Sequence, residues 1–296
     1  VFSKARFTEN VSAVGKIVAI TGCNTGIGLE TARELNLRGA NVYMLCRNEQ
    51  RAETAKHQMV QDGCDASRFI YVNCDLGNME SVRKCAAKMS ELEDHIDILI
   101  NNAGMTLNGY VKTAEGHEAT WQTNHLGPFL LTQLLLPLVE NAKKGRIVIV
   151  SSALHAKSPV IDLATIDSES VYGPYSAYNK SKLANLMFAR ELSRRLRARG
   201  NNTVTVNALH PGVISTELGR EFGVGYKIFT TMFGVFLKSR KDGAQTTIYL
   251  ALSTEVENVS GHYFQDCHQA TESPKARDDQ ACARLYDYSM KEVGLA

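Results

Sequence analysis

The eight residues Thr21-Gly22-Cys23-Asn24-Thr25-Gly26-Ile27-Gly28 constrain this chain more than any other stretch. They follow an apolar run, Ile17-Val18-Ala19-Ile20, that reads as a buried parallel strand. They precede an amphipathic helix with Leu29, Ala32, Leu35 and Leu37 among its apolar positions. In a strand, glycine turn and helix, exposed amides at the helix start can meet a phosphate, and glycine lets the backbone come close to it. The spacing is G-x-x-x-G-x-G rather than the commoner G-x-G-x-x-G, and alone it fits a plain βα turn as well as a dinucleotide site.

The same alternation continues down the chain. Strands are expected at 16–21, 41–46, 69–74, 97–100, 145–152 and 203–209, with helices at 27–38, 49–62, 79–93, 116–142 and 175–199. This rhythm predicts an α/β fold of Rossmann type: a doubly wound parallel sheet with helices on both faces. Residues 1–14 read as a surface arm and 15–296 as one domain, since no linker, repeat or low-complexity tract divides them. At the end of the second strand, where an acidic residue would hold an adenosine ribose, stand Cys46 and then Arg47. An arginine there accommodates a 2′-phosphate, so NADP(H) is expected over NAD(H); a solvated arginine opening the next helix is the plain alternative.

Composition narrows the partners. A net charge of +2 over 296 residues gives no reason to expect nucleic acid. Seven cysteines without a C-x-x-C pair suggest reduced thiols in a protein facing the cytosol, and the eight histidines lack metal-ligand spacing, so no metal is expected. His155 and His210 fall near the expected site, but structural roles suffice for both. No run reaches the ~18 apolar residues of a membrane span. Because the chain starts at Val1, an anchor upstream, at the endoplasmic reticulum or a lipid droplet, is an expectation for the native protein.

Tyr178-Asn179-Lys180-Ser181-Lys182 places a phenol and an ammonium on one face of a helix. A positive charge ~5 Å away at an effective dielectric of ~20 favours phenolate by about 3 kcal/mol, roughly two pKa units. That would bring a phenol toward acid–base work near neutrality. The spacing alone also fits a solvated helix face.

In order along the chain stand T-G-x-x-x-G-I-G, Asn101-Asn102-Ala103-Gly104, an Asn in N-x-x-G (Asn124 to Gly127), a serine after strand five, Y-x-x-x-K and Pro211-Gly212. Together, over about 15–266, these motifs resemble the classical short-chain dehydrogenase/reductase family. The phrases YNKSKLANLMFARELSRRL, HPGVISTEL and DGAQTTIYLAL further resemble its retinol dehydrogenase branch. The resemblance implies an NADP(H)-dependent oxidoreductase acting on a lipophilic carbonyl or alcohol, such as retinal, retinol, or a lipid aldehyde or ketone. It implies Tyr178 as general acid or base, Lys182 as the cation that lowers its pKa, Ser152 on the substrate oxygen, and Asn124 holding a water in a proton relay.

For the cofactor it implies contacts from Gly22, Asn24, Thr25, Gly26, Ile27 and Gly28, from Arg47, Asp75 and Leu76, and from Asn102, Ala103 and Gly104. Tyr178, Lys182, Pro211, Gly212 and Thr216 complete that set. Ser152 and Tyr178 lie 26 residues apart, about twice the spacing in many members, which leaves Ser151 as a rival. Cys23 stands where relatives usually carry alanine and reads as a small packing residue.

After the Pro-Gly turn, about 213–240 is expected to form a substrate lid, whose apolar core 222–237 fits an apolar substrate, a homodimer interface or a membrane surface. Two other readings of the chain are a non-catalytic nucleotide-binding scaffold or sensor and, with less support from the glycine spacing, a nucleotide-sugar epimerase.

Overall fold

The computed structural model describes residues 6–212 and 238–296. Among them the strands are β1 (Ile17–Thr21), β2 (Asn41–Cys46), β3 (Phe69–Asn73), β4 (Ile98–Asn101), β5 (Gly145–Val150), β6 (Val204–His210), β7 (Tyr263–Gln265) and β8 (His268–Ala270). They form one sheet in the order 3-2-1-4-5-6-7-8, parallel throughout except for the antiparallel β7–β8 pair. The helices are α1 (Gly26–Leu37), α2 (Glu49–Gln61), α3 (Met79–Leu92), α4 (Ala119–Trp121), α5 (Gly127–Asn141), α6 (Pro174–Ala198), α7 (Arg240–Leu252) and α8 (Asp279–Glu292).

Every residue of β1 and β6 is buried because helices cover both sides of the sheet. The pleat sends alternate side chains into two cores. Ala19, Leu45, Leu99 and Ile147 enter one, with α3, α5, α6 and α8. Val18, Met44, Ile100 and Val148 enter the other, with α1, α2 and α7. A continuous apolar run along a strand is therefore what this architecture requires, and it explains why the strand cores could be read directly.

The structure departs from the sequence expectations at three places. The helical stretch expected over 116–142 starts at Ala119 and is interrupted by a π turn over Gln122–Leu126. Strand β5 stops at Val150, so both serines lie beyond it. The sheet is not wholly parallel: the β7–β8 hairpin turns through Asp266 and Cys267, both at positive φ. That turn carries no glycine, which hides it from a search for hairpin signals.

Residues 6–14 lie on the protein surface but are not free of it. Phe7 is buried against Tyr249, under the Arg38 guanidinium 5.0 Å from its ring, and the Glu9 carboxylate accepts from Thr254 N at 3.1 Å. Thr216, the 222–237 segment and nearly all of the expected lid lie outside the described residues. Among the described residues no helix is long and apolar enough to cross a membrane.

Candidate active site

The strand order reverses between β1 and β4, and there the carboxyl ends of the strands open into a crevice of about 420 Å³. Its floor is the glycine turn, lined by Gly22, Asn24, Thr25, Gly26, Ile27 and Gly28. Three glycines serve three different ends. Gly22 has φ +64°, and a Cβ there would lie 2.9 Å from that of Ala103. Gly28 lets α1 close on the turn, since its Cβ would meet Asn102 Nδ2 at 2.4 Å and Gly22 O at 2.6 Å. Gly26, at φ +62°, faces open space with no protein atom within 4 Å of its missing Cβ. Thr25 occupies the N-cap of α1 without a side-chain bond to the first turn, leaving helix-start amides for an anion.

Asn102 fastens this floor to β4: its Nδ2 donates to Thr21 O at 2.9 Å and Gly22 O at 3.2 Å, and its own N–H donates to Thr21 Oγ1 at 3.0 Å. Ala103 and Gly104 continue the wall, as do Asp75 and Leu76 opposite. Asp75 Oδ1 accepts from Gly77 N at 3.0 Å, which fixes the exit of β3. At the end past β2 stands exposed Arg47, joined by exposed Arg51 from the first turn of α2. Asn48 caps that helix by accepting from Arg51 N at 2.9 Å. Arg51 was missed by sequence reasoning; its signal was its place one turn into a helix whose cap borders the crevice.

The far end carries Tyr178, Lys182 and Pro211. Both Tyr178 and Lys182 belong to α6, and Lys182 Nζ sits 5.6 Å from the Tyr178 ring centre and donates to Val150 O at 3.1 Å. Ser152 lies beside them, caps the turn after β5 by accepting from Leu154 N at 3.2 Å, and hydrogen-bonds the Tyr178 phenol. Ser151 instead turns its hydroxyl into the core and donates to Lys182 O at 2.7 Å. The two serines thus point differently: Ser152 toward the phenol, and Ser151, which also lines the crevice, toward the Lys182 carbonyl.

The charge effect expected from the Tyr178–Lys182 spacing does not prevail. Burial pushes the phenol up to about 12, opposed by the Ser152 hydrogen bond, and burial alone pushes Lys182 down to about 8. Desolvation outweighs the attraction because the ammonium faces a carbonyl and the ring rather than the phenol oxygen. At neutral pH both groups therefore hold their protons.

Asn124 is buried in the π turn, behind the crevice wall rather than on it. Its Oδ1 accepts from Met105 N at 2.8 Å, and its Nδ2 donates to Met105 O at 2.8 Å and Ser181 Oγ at 3.0 Å. The amide expected to hold a water is largely engaged by protein, with one Oδ1 lone pair to spare. Gly104 lies between this amide and the lysine, since its Cβ would stand 3.0 Å from Lys182 Nζ. Gly212 is set back from the crevice against Lys238, with φ +96°.

The long segment between β5 and α6 folds against the loop after β4. Asp167 Oδ1 accepts from Glu118 N at 2.7 Å, Asp167 Oδ2 pairs with His117 Nδ1 at 2.9 Å, and Tyr110 and Tyr172 hydroxyls donate across to Asp167 O and Leu107 O. His155 pairs its Nδ1 with Ser152 O at 2.7 Å and accepts from Ser273 N at 3.2 Å, so it supports the serine turn. Among the described residues no cluster of His, Cys, Asp or Glu could hold a metal.

Sheet order, glycine floor and the Ser-Tyr-Lys cluster define an oxidoreductase built on a nucleotide-binding Rossmann fold. Residues 16–226 match the family described as short chain dehydrogenase, and the chain belongs to that family, in its retinol dehydrogenase-like branch. It is 43% identical to retinol dehydrogenase 14 of Mus musculus over 293 residues, covering 95% of this chain and 86% of the relative. It is 42% identical to retinol dehydrogenase 12 of Homo sapiens over 288 residues, 97% of this chain and 89% of the relative. A crystal structure from Mycobacterium Paratuberculosis superposes with TM-score 0.77 at 32% identity, covering 96% of this chain and 95% of that one. The Pseudomonas aeruginosa RhlG/NADP active-site complex shares the fold at 22% identity and TM-score 0.68, covering 87% of this chain and 97% of that one.

Proposed function

We propose that this chain is an NADP(H)-dependent oxidoreductase interconverting lipophilic carbonyls and alcohols of the retinal/retinol or lipid-aldehyde kind. One observation carries the reading: a phenol sits between a serine hydroxyl and an ammonium at one end of a crevice whose other end bears two guanidinium groups. The floor suits a dinucleotide pyrophosphate, since the open space over Gly26 and the uncapped start of α1 match an anion's needs. Arg47 and Arg51 suit a 2′-phosphate, and the end of β2 offers no carboxylate to a ribose hydroxyl. The names of the retinol dehydrogenase relatives support a lipophilic substrate. Such a substrate partitions into lipid, so the reading includes work at a membrane or lipid-droplet surface.

When bound, the nicotinamide supplies the hydride. Tyr178, protonated at neutral pH, donates its proton to the carbonyl oxygen as charge develops there. Ser152 hydrogen-bonds the same oxygen and stabilises that charge. Lys182 keeps a positive charge beside the phenol, which offsets the negative charge left on Tyr178. Asn124 fixes Met105 and, through it, the wall that faces Lys182.

The test is a screen following NADPH and NADH oxidation side by side with retinal and medium-chain aldehydes. Tyr178→Phe should lower turnover by about 10²–10⁴-fold, the usual scale of general acid–base catalysis, with NADPH binding retained. Arg47→Asp should shift preference toward NADH. Full turnover in Tyr178→Phe would remove the phenol from its role, and tight NADPH binding without activity on any carbonyl would favour the scaffold reading.

A further inference from the structure

The sulfurs of Cys23 and Cys46 lie 3.8 Å apart at the adenosine end of the crevice. The pairing follows from the sheet. Thr21 is in register with Leu45 on the neighbouring parallel strand, and Gly22 N donates to Leu45 O at 3.0 Å. Cys23 therefore leaves β1 diagonally opposite Cys46, the last residue of β2. The two thiols differ in access. Cys46 lines the crevice, whereas Cys23 is completely buried behind it. They also differ in acidity: the Cys23 thiol and the amides of Cys23, Asn24 and Gly22 draw Cys46 down from the ordinary thiol value, against its burial. Cys74 also reaches the crevice, but its hydrogen bond with the Cys85 thiol and its burial push it well up.

The geometry points to Cys23 and Cys46 as a peroxide-sensitive pair whose disulfide closes the nucleotide site. The Cys46 thiolate attacks a peroxide oxygen, the O–O bond breaks, and two electrons pass from sulfur to the peroxide, leaving hydroxide and a Cys46 sulfenic acid. Cys23 sulfur then attacks Cys46 sulfur, the S–O bond breaks, and the departing hydroxide takes the Cys23 proton to form water. Cys46 meets the oxidant because it borders the crevice, and Cys23 resolves the sulfenic acid from behind.

The bond requires the sulfurs to close from 3.8 Å to about 2.05 Å. The residue that must move belongs to the glycine turn, which has little slack. The missing Cβ of Gly28 would already be 2.9 Å from Cys23 Cα, and Gly22 rests on Ala103. Drawing Cys23 toward β2 therefore displaces the amides that would face a pyrophosphate. The consequence for binding rests on the nucleotide reading above; the pairing of the two thiols does not.

The experiment treats the full chain with hydrogen peroxide, with and without saturating NADPH, and maps peptides by mass spectrometry beside NADPH binding by fluorescence. Expected are a Cys23–Cys46 crosslink 2 Da lighter than the reduced pair, a loss of NADPH affinity of at least tenfold reversed by dithiothreitol, and protection by NADPH. Cys23→Ala, compared with its own reduced form, should give dimedone-reactive Cys46 and no crosslink. Absence of the crosslink in the native sequence overturns the proposal, as does a crosslinked chain that binds NADPH like the reduced one. If the reduced chain binds no NADPH, the nucleotide reading fails, and the peptide map alone decides the thiol pair.

Discussion

Asn124 grips both backbone groups of Met105, accepting from its N–H and donating to its carbonyl, each at 2.8 Å. The pair joins the π turn before α5 to the loop leaving β4, and Gly104 in that loop faces the lysine of the site. π turns inside helices frequently mark functional positions, because one extra residue per turn re-aims a side chain. Here the re-aimed amide acts as a brace.

Removing that brace should cost activity and stability together. Asn124→Ala leaves two part-buried backbone groups of Met105 without these partners, a penalty of up to about 1–3 kcal/mol for each group left unpaired. The urea midpoint should fall, and kcat with it, while NADPH affinity changes less because the glycine turn is untouched. A variant with normal kcat would show that the loop keeps its place unaided.

Lys182 should be destabilising to the fold that contains it. Its pKa of about 8, against the ordinary 10.5, means the buried ammonium costs about 3 kcal/mol below pH 8. The unfolded chain binds the extra proton between pH 8 and 10.5, so this penalty shrinks as pH rises through that window. Lys182→Met leaves Val150 O without this donor, a cost of about 1–3 kcal/mol, and should be at least as stable as the parent at pH 7, by up to about 2 kcal/mol. Denaturation at pH 7 and pH 10 measures both the gain and its decline. Activity should vanish in the same protein.

Gly26 and Gly28 should separate binding from folding. Gly26→Ala meets no protein atom and pays chiefly for positive φ, about 1 kcal/mol, so it should fold and lose NADPH affinity at least tenfold. Gly28→Ala drives a methyl into Asn102 and the Gly22 carbonyl and should lower thermal stability as well. Undiminished affinity in Gly26→Ala would move the pyrophosphate elsewhere.

Acid should unfold the protein with histidine protonation. Burial pushes His125 down to about 3 and His210 to about 4, both from 6.5. Between pH 6.5 and about 4 the unfolded chain takes up these protons and the folded chain does not, so stability falls as pH falls. Two protons give a slope approaching about 2.7 kcal/mol per pH unit. Urea midpoints across that range test it, and His125→Gln should flatten the curve by about one proton.

The strands β1 to β6 and the glycine turn were legible because burial on both faces writes an uninterrupted apolar run, and a tight turn writes glycine. The Tyr178–Lys182 pair was legible because helix periodicity puts positions four apart on one face. The β7–β8 hairpin was not: its strands are three residues each, and its turn uses Asp266 and Cys267. Arg51, Met105 and the orientation of Ser151 were equally hidden, since each depends on where separate elements meet.

Local chemistry therefore determined the kind of fold, the place of the glycine turn at the crevice floor, and the one-face pairing of Tyr178 with Lys182. Tertiary packing decided which serine faces the phenol, that Asn124 braces a loop, and that Tyr178 keeps its proton at neutral pH. The reason is physical. Backbone periodicity acts between neighbours in the chain, whereas desolvation and hydrogen-bond direction depend on atoms brought together from β5, α6 and the loop after β4.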